Sequence, residues 1–156
     1  MTELMHARLA AECLKVLDQS GYDVEQCIID AKCEERMRAM GKPYVTPSLS
    51  PTMNDFTAQS AFWLFLQLDG LDVAGVGVKY QDVAKENVAE FWERTISRQY
   101  PPSGKSTTVS VDIKDAISEF AGRLIYMGDL YVRDGQRGSR NTLTIFVRLL
   151  HLFAAM

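Results

Sequence analysis

Two apolar segments separated by a short turn constrain the fold of this chain more than any other feature. Residues 62–68 are mostly aromatic and aliphatic, and residues 73–80 alternate β-branched with small side chains. The residues between them, 69–72, have the composition of a tight turn with Gly70 at its centre. The sequence therefore predicts a β-hairpin here, and this hairpin is the strongest in the chain.

The segment before the hairpin shows helical spacing. Apolar residues recur every three or four positions in residues 3–18, and Ser20 with Gly21 ends that pattern. A second helix is predicted to begin near Asp23, a residue type that caps helices, and to end at Gly41. We expect the two helices to pack as an αα-hairpin over residues 1–41, and residues 42–60, with three prolines, to form an irregular connection.

Helices and strands alternate after the hairpin. The pattern predicts helices at about 84–99, 114–121 and 142–156, and strands at 107–112 and 124–132. Because strands and helices are interleaved in one domain of 156 residues, the predicted fold class is α/β (α+β), with a mixed, mostly antiparallel sheet flanked by helices.

Composition excludes several classes of function. The net charge of −3 argues against a nucleic-acid binder, and no apolar run approaches the roughly 20 residues that span a bilayer. The three cysteines show no CxxC spacing, so we expect free thiols that pack in the core of a cytoplasmic protein. The two histidines have no second ligand at metal-binding spacing, so no metal is expected.

The segment that points to chemistry runs through residues 126–150. It reads as a strand, a turn rich in Gly and Arg, and an apolar helix. Free amides and the dipole at a helix N-terminus attract anions. The turn adds Arg133, Arg137 and Arg140 against the single acid Asp134, so the pattern predicts a site for a diphosphate.

Residues 129–132 and 137–143 resemble motif A of the GNAT superfamily of acyl-CoA N-acyltransferases. In that family the strand backbone bonds the pantetheine arm, and an Arg/Gln-x-x-Gly-x-Gly/Ala loop binds the pyrophosphate of coenzyme A. Arg140 and Thr142 stand where the motif has small residues, mostly glycine. The resemblance implies that coenzyme A is bound by Leu130, Val132, Arg137, Gly138, Ser139, Arg140, Asn141 and Thr142.

The same resemblance implies a reaction and a fold. Acetyl-CoA would be the co-substrate, attacked by an amine of a small molecule or protein, with Asp129 as the candidate base. Residues 61–156 would form a GNAT-like sheet with helices. Family members continue into a fifth strand where this sequence ends at Met156, so the resemblance implies a truncated C-terminal part and an acyl site that lacks one wall.

Two alternatives to an enzyme remain open at the level of sequence. The chain could be a non-catalytic GNAT-like interaction protein that associates, as a homo-oligomer or with another protein, through an open sheet edge or its N-terminal helices. It could also be an unrelated α+β domain whose loop is similar to motif A by chance. The acceptor substrate is not defined by any of these patterns.

Overall fold

A four-stranded antiparallel sheet forms the centre of the fold. The computed structural model describes residues 2–84, 86–99, 108, 110–136 and 140–156. Within them the strands lie side by side in chain order, so the predicted mixed α+β class is confirmed. The strands are β1 (Tyr22–Cys27), β2 (Ala61–Leu68), β3 (Leu71–Asp82) and β4 (Arg123–Val132).

Helices cover both faces of this sheet. Two of them, α1 (Glu3–Gln19) and α5 (Arg140–Ala154), pack on one face, whereas α2 (Ala31–Met40) and a 3-10 turn (Pro47–Leu49) pack on the other. The remaining helices are α3 (Val88–Gln99) and α4 (Val111–Ile117), which lie between β3 and β4 in the chain. No helix in the described part of the chain is long and apolar enough to cross a membrane.

β2 is buried on both sides, which explains its continuous apolar sequence. Its even-numbered side chains face α1 and α5, and its odd-numbered side chains face α2. The core between the sheet and α1 and α5 contains Leu17, Phe62, Leu64, Leu66, Val76, Val78, Phe146 and Leu149. The core under α2 contains Cys33, Met37, Met40, Leu49, Trp63 and Phe65.

Two glycines of β3 make room for the aromatic side chains of the core under α2. Trp63 is directly opposite Gly77, and Phe65 is directly opposite Gly75. The two aromatic rings stack with their centroids 5.7 Å apart. A Cβ atom at Gly77 would lie 2.7 Å from Leu49 and 3.0 Å from the Trp63 ring, so the packing requires glycine there.

The predicted β-hairpin is confirmed, and its turn has two residues. Leu68 pairs with Leu71, and the turn residues Asp69 and Gly70 take φ values of 52° and 76°. Two successive positive φ values match the right-handed twist of the flanking strands, and Asp-Gly adopts them readily. The irregular connection predicted after α2 is also found, interrupted only by the 3-10 turn.

The predicted N-terminal αα-hairpin is wrong, because a strand separates α1 from α2. Residues of β1 alternate between partly buried and exposed from Tyr22 to Glu25, and every residue of the strand pairs with β2. The apolar positions Val24 and Cys27 fit a helix as well as a strand, and pairing with β2 decides in favour of the strand. α2 begins only after Asp30, whose carboxylate accepts a hydrogen bond from the Cys33 amide at 3.1 Å.

Three predictions after the hairpin need different boundaries. The strand predicted at 107–112 is wrong for the described residues of that range, because Asp112 lies in the first turn of α4. Positions 107 and 109 lie outside the described residues. α4 occupies Val111–Ile117 in place of 114–121, and α3 begins at Val88. The predictions for β4 and for the last helix agree with the structure within two residues.

Candidate functional site

β4 contains a β-bulge at the position where sequence analysis places the candidate base. Pairing with β3 reaches Gly128 and resumes at Tyr131, and the two residues between them oppose a single residue of β3. The first of these, Asp129, has a φ of 59°, a left-handed conformation that aspartate tolerates better than most residues. A bulge of this kind bends the strand that contains the extra residue.

The Asp129 carboxylate is buried, and both of its oxygens have partners. Its Oδ1 lies 2.9 Å from Nζ of Lys42, and its Oδ2 accepts hydrogen bonds of 2.8 Å from both the amide and the hydroxyl of Thr46. Only 1% of the side chain is exposed. These contacts tie the bulge to the connection that follows α2, so the carboxylate has a structural role. Its role as a catalytic base stays a prediction.

The other strand residues of the predicted site differ in exposure. Leu130, the second residue of the bulge, is 46% exposed. Val132 is partly buried and packs against the core shared with α1 and α5. β4 is an edge strand of the sheet that the described residues form, so its backbone is paired with β3 on one side only.

A turn follows β4 and leads toward the predicted phosphate loop. The Arg133 amide donates to the Val73 carbonyl at 2.9 Å, which extends the pairing by one residue. The Gln136 amide then donates to the Arg133 carbonyl at 3.0 Å, with Gly135 at a φ of 84°. The next three residues of the predicted site, Arg137, Gly138 and Ser139, lie outside the described residues.

The first turn of α5 presents two of its three predicted site residues to solvent. Arg140 and Asn141 are exposed, whereas Thr142 is buried. The sequence of α5 contains two arginines and one histidine but no acidic residue. The positive end of the helix dipole is therefore not neutralised by a carboxylate from the same helix.

Thr142 borders a small cavity that is partly open to solvent. The cavity measures about 20 Å³, which can hold one water molecule but no larger ligand. Its lining comes from all four strands or the segments beside them and from α5: Tyr22, Leu66, Val73, Ala74, Val132, Gln136, Thr142 and Leu143. The structure thus brings Val132 and Thr142 together inside the fold and leaves Arg140 and Asn141 outside it.

Sequence analysis missed Lys42 and Thr46, the two partners of Asp129. Thr46 precedes Asp129 by 83 residues, so no local spacing connects them. A signal for the bulge itself was present, because an isolated glycine in a strand, here Gly128, often marks a bulge.

A second surface feature lies between α1 and α5. It is a groove of about 520 Å³ on the outer side of the helix pair. Its walls are mostly apolar, with one acid, one arginine and one histidine among them: Leu9, Glu12, Cys13, Val16, Ile145, Arg148, His151 and Leu152. We call this feature the α1–α5 groove.

Neither a cluster of metal ligands nor comparison with known proteins assigns a function to this chain. Among the described residues, no group of three or more His, Cys, Asp or Glu side chains is placed to hold a metal ion. Comparison with models of protein families, with curated proteins and with solved structures found no match.

Proposed function

We propose that this chain is an acyl-CoA-dependent N-acyltransferase of the GNAT type, which transfers an acetyl group from acetyl-CoA to an amine. The observation that carries the proposal is the path from β4 to α5. In the part of the chain that the structure describes, a bulged edge strand is followed by a turn with Arg133 and Gly135, and α5 begins with exposed Arg140 and Asn141 and has no acid. This order of elements is the one that motif A predicts.

The residues of the chain fit the two ends of coenzyme A differently. The edge of β4 around Leu130, which pairs with no strand among the described residues, offers hydrogen-bonding groups to the amides of a pantetheine arm. The amides of the first turn of α5, with the Arg140 guanidinium, offer donors and positive charge to a pyrophosphate. Acetyl-CoA would supply the acyl group, and the chain would bind it and orient its thioester toward an amine.

Removal of the ammonium proton needs an acceptor in this mechanism. Only 1% of the Asp129 side chain is exposed and both of its oxygens already contact Lys42 or Thr46, so an amine outside the fold does not reach the carboxylate unless those contacts break. An ordered water at the edge of the strand is therefore the acceptor that we favour.

We expect acetyl-CoA to bind the purified chain in calorimetric titration, and Arg137→Ala and Arg140→Ala each to weaken binding about tenfold or more, because each removes a charge-assisted contact to phosphate. Arg38→Ala is the matched control, since Arg38 is an arginine on α2 with 57% of its side chain exposed. Its affinity should equal that of the unmodified protein. No detectable heat from a folded protein would contradict the proposal, and equal losses in all three variants would place the binding site elsewhere.

The α1–α5 groove favours a second candidate, an interaction protein that pairs with a second copy of itself. Leu9 and Val16 are exposed large apolar residues in this groove, and Glu12 and Arg148 are its opposite charges. A two-fold axis that lays α1 on the partner's α5 would set each acid against an arginine, which suits a self-complementary interface.

Light scattering tests this candidate directly. A dimer would have twice the monomer mass of 17.5 kDa, and Leu9→Glu is expected to return it to the monomer mass because a carboxylate would be buried in the interface. Leu4→Glu is the control, since Leu4 is exposed on the same helix outside the groove. A monomer at all concentrations, or a dimer that Leu9→Glu leaves intact, would rule out this interface.

A further inference from the structure

The structure brings two cysteines together that the sequence does not pair. Cys27 ends β1 and Cys33 lies in the first turn of α2, and their sulfur atoms are 3.7 Å apart and hydrogen bonded. Cys33 is 2% exposed, and Cys27 is partly exposed. The pair therefore lies at the boundary between the core under α2 and solvent.

The surroundings of the pair favour a protonated thiol at Cys27 and a thiolate at Cys33. The hydrogen bond from the Cys27 thiol lowers the pKa of Cys33 and raises that of Cys27. The Arg36 guanidinium, 3.8 Å from the Cys27 sulfur, acts in the opposite direction and lowers the pKa of Cys27, but by less than the hydrogen bond to Cys33 and burial raise it. Cys33 also lies near the N-terminus of α2, where the helix dipole favours a thiolate. A thiolate beside a thiol is the arrangement from which a disulfide forms.

The third cysteine is separated from this pair by the sheet. Cys13 lies on α1 and packs against the core that α1 and α5 share. Cys27 and Cys33 belong to the core on the opposite face. An internal disulfide can therefore join Cys27 to Cys33 but cannot include Cys13 without disruption of the fold.

We propose that Cys27 and Cys33 form an oxidation site at which hydrogen peroxide converts the dithiol to an internal disulfide. The Cys33 thiolate attacks one peroxide oxygen, the O–O bond breaks, and the released hydroxide takes up a proton and leaves as water. Cys33 is then a sulfenic acid. The Cys27 sulfur attacks the Cys33 sulfur, the S–O bond breaks, and the hydroxide leaves as water with the Cys27 proton. Two thiols lose two electrons, and one hydrogen peroxide becomes two waters.

The geometry requires only local movement for the second step. A disulfide needs the sulfur atoms at about 2.05 Å, so the present separation must shorten by rotation of the two side chains. Cys33 itself is 2% exposed, so a small peroxide has to approach its sulfur past Cys27, the partly exposed residue of the pair. This inference is independent of the acyltransferase proposal, because neither cysteine belongs to the residues assigned to coenzyme A.

The test treats the reduced protein with hydrogen peroxide, then counts thiols in denaturant and maps the disulfide by mass spectrometry of peptides. We expect the three thiols of the chain to fall to one, with a mass loss of two hydrogens and a linked Cys27–Cys33 peptide. Reduction with dithiothreitol should restore all three. Cys13→Ser should still lose two thiols, and Cys27→Ser, a change at a partly exposed position, should form no internal disulfide.

Two results would overturn the proposal, and both can be read from the unmodified protein without a variant. One is loss of the Cys13 thiol while Cys27 and Cys33 stay reduced. The other is conversion of Cys33 to sulfinic acid with no Cys27–Cys33 disulfide, which would show that Cys27 does not reach the sulfenic acid in time.

Discussion

Replacement of Asp129 with alanine is expected to lower the free energy of unfolding by about 3 kcal/mol. The substitution leaves the Lys42 ammonium and both donors of Thr46 without their acceptor at a site from which water is largely excluded. It also places alanine at a φ of 59°, where a Cβ without a polar group is strained. Urea denaturation followed by the fluorescence of buried Trp63 measures the loss.

Asp69→Ala is the matched control for the backbone part of this effect. Asp69 has a similar φ of 52°, but its side chain is exposed in the hairpin turn. We expect this variant to lose about 1 kcal/mol, the cost of the left-handed conformation alone. Equal losses at the two positions would show that the buried contacts of Asp129 contribute nothing to stability.

Asp129→Asn separates the structural role from the catalytic role predicted by the resemblance. Asparagine tolerates positive φ and can still accept from Thr46, but it does not neutralise Lys42, so an intermediate loss of stability is expected. If acetyl transfer is detected in the unmodified protein, a folded Asn variant that keeps its rate would exclude Asp129 as the base. Complete loss of the rate in that folded variant would favour the carboxylate over water as the proton acceptor.

Local patterns in the sequence predicted the elements whose periodicity is unambiguous. The hairpin of β2 and β3 was predictable because two apolar runs separated by Asp69 and Gly70 are typical of a β-hairpin and of few other structures. α1 and α5 were predictable from helical spacing sustained over 17 and 15 residues. The fold class followed from the alternation of these elements.

The errors and omissions have a common physical cause, which is long-range pairing. β1 has six residues whose pattern fits two periods, and its partner β2 lies about 40 residues further along the chain. The position of Asp129 on a strand predicts a candidate base, whereas its environment is set by Lys42 and Thr46, far earlier in the sequence. The Cys27–Cys33 pair likewise depends on the strand that sequence analysis interpreted as a helix.

The largest effect expected outside the candidate site is at Arg36, where replacement with methionine should cost about 2 to 3 kcal/mol. Arg36 donates two hydrogen bonds to Asp72, of 2.7 and 2.8 Å, and lies 2.8 Å from Glu25. Its guanidinium also lies 3.7 Å from the centre of the Phe65 ring. Methionine keeps most of the apolar contact and removes the charge, so Asp72, 14% exposed, is left without its cation.

Arg38→Met is the control on the same helix. Arg38 pairs with Glu34 one turn away and is itself mostly exposed, and Glu34, which is 12% exposed, keeps the hydrogen bond from the Ser50 hydroxyl. Removal of Arg38 is therefore expected to cost less than removal of Arg36, about 1 kcal/mol. Similar losses for Arg36→Met and Arg38→Met in urea denaturation would show that the contacts of Arg36 with Asp72 and Phe65 have no special weight.

The pH dependence of the Arg36→Met effect tests whether the ion pairs of Arg36 are its source, and Asp72 is the more buried of the two partners. Burial raises the pKa of Asp72, but hydrogen bonds from Arg36 and Gln67 outweigh it and hold the pKa below its ordinary value of 3.8. A carboxyl group with a lowered pKa stabilises the fold above its unfolded-state pKa, and this stabilisation is lost as pH falls through the folded-state pKa. In the methionine variant burial acts with less opposition, so the pKa of Asp72 rises and protonation relieves the buried charge.

The difference in stability between the unmodified protein and Arg36→Met should therefore be largest near neutral pH and should shrink as the pH approaches and passes below 3.8. Urea denaturation of both proteins across this range measures the difference directly. A gap that stays constant with pH would mean that the loss comes from packing over Phe65, because that contact does not depend on the protonation of Asp72. A gap that narrows in acid would assign the effect to the ion pairs of Arg36 with Asp72 and Glu25, of which Asp72 is the more buried partner.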